Sequence, residues 1–170
     1  MRKKILTVDA DSDGVYSEDE LNAQPVRVLQ ALAEELNYDT TGETKEELVA
    51  DILDGQAAAI EAEADDDESG LLTQTELNAL TVAKIKALAK EKGYTITETT
   101  KANIITEFLA AQTSAVEAAA DADESGDYSQ TELEALTVEA ILLIAEDKGY
   151  TITETEKAAI ITEFLEQQNA

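Results

Sequence analysis

The chain has 170 residues, 38 acidic and 12 basic, for a formal net charge of −26. Charge of that sign repels nucleic-acid phosphates and anionic membrane surfaces, so neither a nucleic acid nor a membrane is expected as partner. The absence of Cys, His and Trp removes the thiol, the commonest general base and the commonest zinc ligand, and an enzyme is not expected.

In chain order, the first element is Lys4-Ile-Leu-Thr-Val8, which reads as a short strand or arm. Its apolar run is too short for a secretion signal, and no segment reaches the roughly 20 apolar residues of a membrane span. An acidic 12-residue loop follows, Asp9–Glu20. Pro25 then opens a helix at its first turn, where its missing N–H costs nothing, and Asn37 stands where a helix-ending glycine would serve. Ala57–Ala64 has neither Gly nor Pro and is rich in Ala, so it is helical. It runs into a second acidic loop, Asp65–Glu76, with a short exit helix over Thr75–Leu80. Thr81 is the N-cap of a helix over Val82–Lys92, whose Val82, Ile85, Leu88 and Ala89 share one face. Gly93 ends it. Tyr94–Thr97 alternates and is extended. A long helix beginning at Glu98 or Thr99 runs to Ala120 with no breaker and enters the third loop, Asp121–Glu132. The last segment repeats the second: Val138, Ile141 and Ile144 form the helical face, Gly149 the stop, and Ile160 and Ile161 the buried side of a final helix.

The recurrence is strict. Asp9, Asp65 and Asp121 are spaced by 56 residues, as are Leu21, Leu77 and Leu133, Tyr38, Tyr94 and Tyr150, and Lys45, Lys101 and Lys157. A period of this size marks an array of one supersecondary unit. The fold expected is all-α, three tandem 56-residue repeats in an extended or gently curved array, with boundaries at 1–56, 57–112 and 113–170.

Each acidic loop carries side-chain oxygens at positions 1, 3, 5 and 9, Gly at 6 and Glu at 12. Ca²⁺ takes six to eight oxygens, and a short loop can wrap it only with a sharp turn at its middle and a carboxylate returning at its end. The three loops resemble the EF-hand calcium loop. The resemblance implies three sites: Asp9, Asp11, Asp13, the Val15 carbonyl, Ser17 and Glu20; Asp65, Asp67, Ser69, the Leu71 carbonyl, Thr73 and Glu76; and Asp121, Asp123, Ser125, the Asp127 carbonyl, Ser129 and Glu132. EF-hands usually pair through loop position 8, here Tyr16, Leu72 and Tyr128, and three loops cannot all pair within one chain. Calcium constants of around 10⁻⁴ M are therefore expected, with loop one favoured by its fourth carboxylate.

Leu80 through Ile105 resembles a second family, the helix–extended loop–helix module of Rho N-terminal, SAP and LEM domains, which also occurs in bacteriophage proteins. Leu80, Val82, Ile85, Leu88, Gly93, Lys101, Ile104 and Ile105 carry the likeness, and the third repeat matches it through Leu136, Val138, Ile141, Ile144, Gly149, Lys157, Ile160 and Ile161. Relatives that bind DNA need a basic face; here only Lys84, Lys86, Lys90, Lys92 and Lys101 cluster. One Met argues against a sensor that opens a Met-rich groove. The expectation is a calcium-binding structural or adaptor protein whose loops rigidify the joints. Its partners would be virion proteins or itself, and by resemblance it would be a bacteriophage virion-associated accessory protein of capsid, neck or tail. A calcium buffer or sensor, or a bacterial cell-surface calcium-binding protein, is the alternative, with a cytoplasmic or extracellular setting in place of a virion. Leu142 and Leu143, replacing Lys86 and Ala87, are expected to lie largely outside the core stripe.

Overall fold

The computed structural model describes residues 8–42, 44–65 and 67–170. Among them the chain is all-helical: α1 Glu18–Asn22, α2 Val26–Leu36, α3 Lys45–Ala64, α4 Gln74–Ala79, α5 Val82–Glu91, α6 Lys101–Ala120, α7 Gln130–Ala135, α8 Val138–Lys148 and α9 Lys157–Gln168. The arm expected before loop one lies outside the described residues except for Val8, which is buried beside α2 and α3 in the first core.

Local chemistry sets most of the boundaries. Thr81 and Thr137 cap α5 and α8 by accepting the N–H of Lys84 and Ala140. Ser17, Thr73 and Ser129 cap α1, α4 and α7, and the glutamate three residues on closes each capping box. Asn37 and Gly149 end α2 and α8 in the left-handed conformation. The long helix starts at Lys101, two or three residues later than the sequence suggests. The cause is Glu107, which accepts the N–H groups of Thr97 and Glu98 at 2.8 and 3.0 Å and keeps that stretch extended. Asp51 and Glu163 hold the aligned stretches in the same way.

Three hydrophobic cores follow one another along the chain. Leu21, Leu29, Leu48 and Ile52 centre the first. Leu77, Ile85, Leu88, Ile104 and Phe108 centre the second, and Leu133, Ile141, Ile144, Ile160 and Phe164 the third. Tyr94 meets Phe108 edge-on at 5.3 Å, as Tyr150 meets Phe164 at 5.1 Å. Lys45, Lys101 and Lys157 reach back to the carbonyls of Asn22, Asn78 and Glu134 at the C-terminal ends of the short helices, where cations are favoured.

The joints are built on α3 and α6. At 20 residues each, these helices span about 30 Å. Their first halves pack in one core and their last residues in the next: Leu48 and Ile52 belong to the first core, Ile60 and Ala64 to the second. Lys92 pairs with Glu61 at 2.6 Å, and Lys148 with Glu117 at 2.7 Å, bracing α3 on α5 and α6 on α8. Two further pairs, Lys84–Glu63 and Lys90–Glu18, cross the first joint. Lys84, Lys90 and Lys92 thus each face a glutamate.

Candidate metal centres

Each acidic loop sits at the start of a short capped helix, and loops two and three also close off a long one: Asp65 and Asp121 are the C-caps of α3 and α6. The loop backbone turns through left-handed residues at position 4 (Ser12, Glu68, Glu124) and position 6 (Gly14, Gly70, Gly126). The glycines have φ of +88°, +77° and +81°, a region a side chain rarely tolerates. That turn lets the position-6 N–H reach the first aspartate. Gly14 N–H donates to Asp9 Oδ2 at 3.2 Å, and Gly70 and Gly126 donate to Asp65 and Asp121 Oδ2 at 2.8 Å.

The structure gathers three carboxylates in every loop. Asp9, Asp11 and Asp13 in loop one, Asp65, Asp67 and Glu76 in loop two, and Asp121, Asp123 and Glu132 in loop three each bring carboxylate oxygens within 4.8 Å of one another. Unscreened by a cation, carboxylates at that spacing repel. Asp9 Oδ1 is buried and without a hydrogen-bond partner. Such an atom is costly unless something positive meets it.

The loops differ at position 5. Ser69 and Ser125 donate from Oγ to the position-7 carbonyls of Leu71 and Asp127, at 3.0 and 2.8 Å, so those carbonyls face into the loop. The hydroxyls of Ser69 and Ser125, followed by the serine backbone N–H groups, hold the Asp67 and Asp123 carboxyls below their ordinary range. Loop one has Asp13 there instead. Its N–H pulls Asp11 down, but burial and the Asp13 and Glu20 carboxylates outweigh it, and Asp11 stands above its ordinary range.

Glutamate at position 12 is preorganised. Glu132 Oε1 accepts the N–H of Ala122 at 3.1 Å, and its Oε2 accepts both N–H and O–H of Ser129 at 2.8 and 2.7 Å. Glu20 repeats the arrangement with Ala10 and Ser17, and Thr73 donates both groups to Glu76 Oε2 at 2.7 Å. Donation from the Ser17 and Ser129 backbones holds Glu20 and Glu132 ionised below their ordinary range. Glu20 stands outside the loop-one triad, and the hydroxyls of Ser17, Thr73 and Ser129 turn to the glutamate. The side chain of Asp127 is exposed, leaving only its carbonyl aimed inward.

The sequence reading passed over one set of residues. Gln56, Gln112 and Gln168, also 56 apart, each bond to the backbone of loop position 8. Tyr16, Leu72 and Tyr128 donate N–H to the glutamine Oε1 at 2.6, 2.9 and 2.9 Å. The glutamine Nε2 donates to the same residues' carbonyls at 3.1, 3.0 and 3.0 Å. The 56-residue spacing of these glutamines was the available signal.

Compared with protein families, curated proteins and solved structures, the chain matches none. The described residues include no helix long and apolar enough to cross a membrane. The arrangement can hold metal ions in three acidic clusters. The donor set, all oxygen with charge concentrated in short loops, fits a hard divalent cation.

Proposed function

We propose that this chain is a calcium-binding structural or adaptor protein: three EF-hand-type loops alternating with helix–extended loop–helix modules, the first two modules each ending in a helix that carries the next loop. Calcium is favoured over Mg²⁺ because the proposed ligands of each loop are all protein oxygens, whereas Mg²⁺ demands a tight octahedron and retains water. The acidic aspartates, the position-7 carbonyl and the position-12 glutamate would hold the ion and balance their mutual repulsion.

The observation that carries the structural reading is where the loops sit. Loops two and three are continuous with α3 and α6, which span the joints. The side chain of Val15, whose carbonyl is the position-7 ligand of loop one, is buried in the second core with Ile60, Leu77 and Ile85. An ion held at loop one therefore fixes a residue that belongs to the neighbouring module. By resemblance alone, the module type assigns the protein to a bacteriophage virion as an accessory component, with a virion protein or a second copy as partner.

Calorimetric titration with calcium tests the metal reading, which expects three sites and fails with fewer than two. Chelation should increase the radius of gyration in X-ray scattering while most of the far-UV helical signal remains. Loss of that signal would make calcium a folding cofactor and overturn the joint-stiffening role.

A further inference from the structure

We propose that Gln56, Gln112 and Gln168 are positioning residues that hold loops one, two and three in metal-binding geometry, so that each loop is a complete and independent site. The inference rests on the calcium reading above. It comes from the geometry of two peptide planes.

The N–H of Tyr16 and the carbonyl of Val15 belong to one planar trans peptide, in which the two groups point in opposite directions. Gln56 Oε1 holds that N–H at 2.6 Å and thereby aims the Val15 carbonyl, a proposed ligand, the other way. The next plane joins the Tyr16 carbonyl to the N–H of Ser17. Gln56 Nε2 holds the carbonyl at 3.1 Å, and the Ser17 N–H points oppositely to Glu20 Oε2 at 2.9 Å. One side-chain amide thus sets the direction of a carbonyl ligand and of the donor that fixes the position-12 carboxylate. Gln112 does the same through Leu72, with Thr73 N–H on Glu76. Gln168 does so through Tyr128, with Ser129 N–H on Glu132. In loops two and three the position-7 carbonyl does face inward, onto the position-5 hydroxyl.

An extended residue left alone offers one N–H and one carbonyl that need partners. A glutamine amide supplies one acceptor and one donor of the same kind as a backbone peptide. It stands where a neighbouring strand would otherwise pair. Gln56 and Gln112 are 5% and 3% exposed, so water does not replace them.

The test uses the full chain with terbium ions, whose luminescence is sensitised by a nearby tyrosine, and calcium as competitor. Tyr16 reports loop one and Tyr128 reports loop three; Tyr16→Phe and Tyr128→Phe assign each signal. Gln56→Ala should weaken the Tyr16-reported site about tenfold, the order expected for losing a paired hydrogen-bonding group, and leave the Tyr128-reported site unchanged. Gln168→Ala should do the reverse, and amide exchange at Tyr128 alone should accelerate. Gln168 is the last residue of α9 and half-buried, so its truncation tests the proposal even if Gln56→Ala fails to fold. Wild-type affinity in Gln168→Ala would overturn the proposal, as would a loss spread evenly over all loops or binding that depends on protein concentration. Absence of ion binding in the wild type would instead remove the calcium reading on which it rests.

Discussion

Truncating Val15 to alanine separates a joint that depends on loop one from one that does not. Val15 is 7% exposed and packs into a core otherwise built from residues 57–108. The substitution removes two carbons at about 0.8 kcal/mol each. A partly collapsed cavity adds to that, for a total of about 2 kcal/mol. The backbone is untouched, so the Val15 carbonyl keeps its place as a proposed ligand; only the side chain's anchorage in the second core is lost. Urea unfolding with and without calcium measures both parts. Wild type should gain stability from calcium in the second core, followed by amide exchange in α5. In Val15→Ala the baseline stability should fall, and the calcium-dependent gain in α5 should shrink while calcium still binds loop one. Asp127, the aligned and exposed residue of loop three, is the control: Asp127→Ala should cost less than about 0.5 kcal/mol. If Val15→Ala leaves the unfolding midpoint unmoved, the side chain bears no load and the coupling of loop one to the second module is wrong.

Two further perturbations probe the modules themselves. Glu107 sits below its ordinary range because the N–H of Glu98 and the hydroxyl of Thr97 donate to it. Its stabilisation is therefore complete above the unfolded carboxylate value and lost as pH falls through the lower folded value. The stability difference between wild type and Glu107→Gln should be largest at neutral pH and vanish in acid, as read by urea unfolding across pH; a difference independent of pH refutes the charged clamp. Leu142 is 39% exposed, so Leu142→Lys should change stability by less than about 0.5 kcal/mol, and a larger loss measured by thermal unfolding would place it in the core.

The sequence showed the helices and loops well because local chemistry sets them. Thr81 and Thr137 cap where they stand, Asn37 and Gly149 end their helices, and the apolar face of Ile85, Leu88 and Ala89 is the buried one. Boundaries moved where a distant group intervened: no local signal at Thr97 or Glu98 announces the carboxylate of Glu107 ten residues on. The acidic triads were legible because their carboxylates recur at the same loop positions in successive repeats. Their inner arrangement was not. The serine and threonine hydroxyls at position 9 cap helices and serve the glutamate, a division of labour that depends on side-chain direction. The glutamines escaped notice because one polar residue in a helix carries no periodic signature of its own; only comparison across three repeats singles it out.

The two joints share a backbone design but differ in what fills them. The first is crossed by Lys84–Glu63, Lys90–Glu18 and Lys92–Glu61, and keeps a groove of about 520 Å3 lined in part by Val15, Leu53, Ala83 and Ala87. At the second, among the described residues, only Lys148–Glu117 recurs. Ala140 replaces Lys84 and is buried, Leu143 replaces Ala87 and is half-buried, and Glu146 replaces Lys90. Half-exposed ion pairs contribute little individually and weaken with salt, whereas apolar burial does not. At the first joint that burial comes from Ala57, Ile60 and Ala64 of α3 and from Val15 of loop one, all in the second core; at the second it comes from Ala120 and, in part, Val116 of α6. If loop one binds an ion as proposed, that ion would hold the backbone of Val15, whose side chain is itself part of the apolar contact at the first joint.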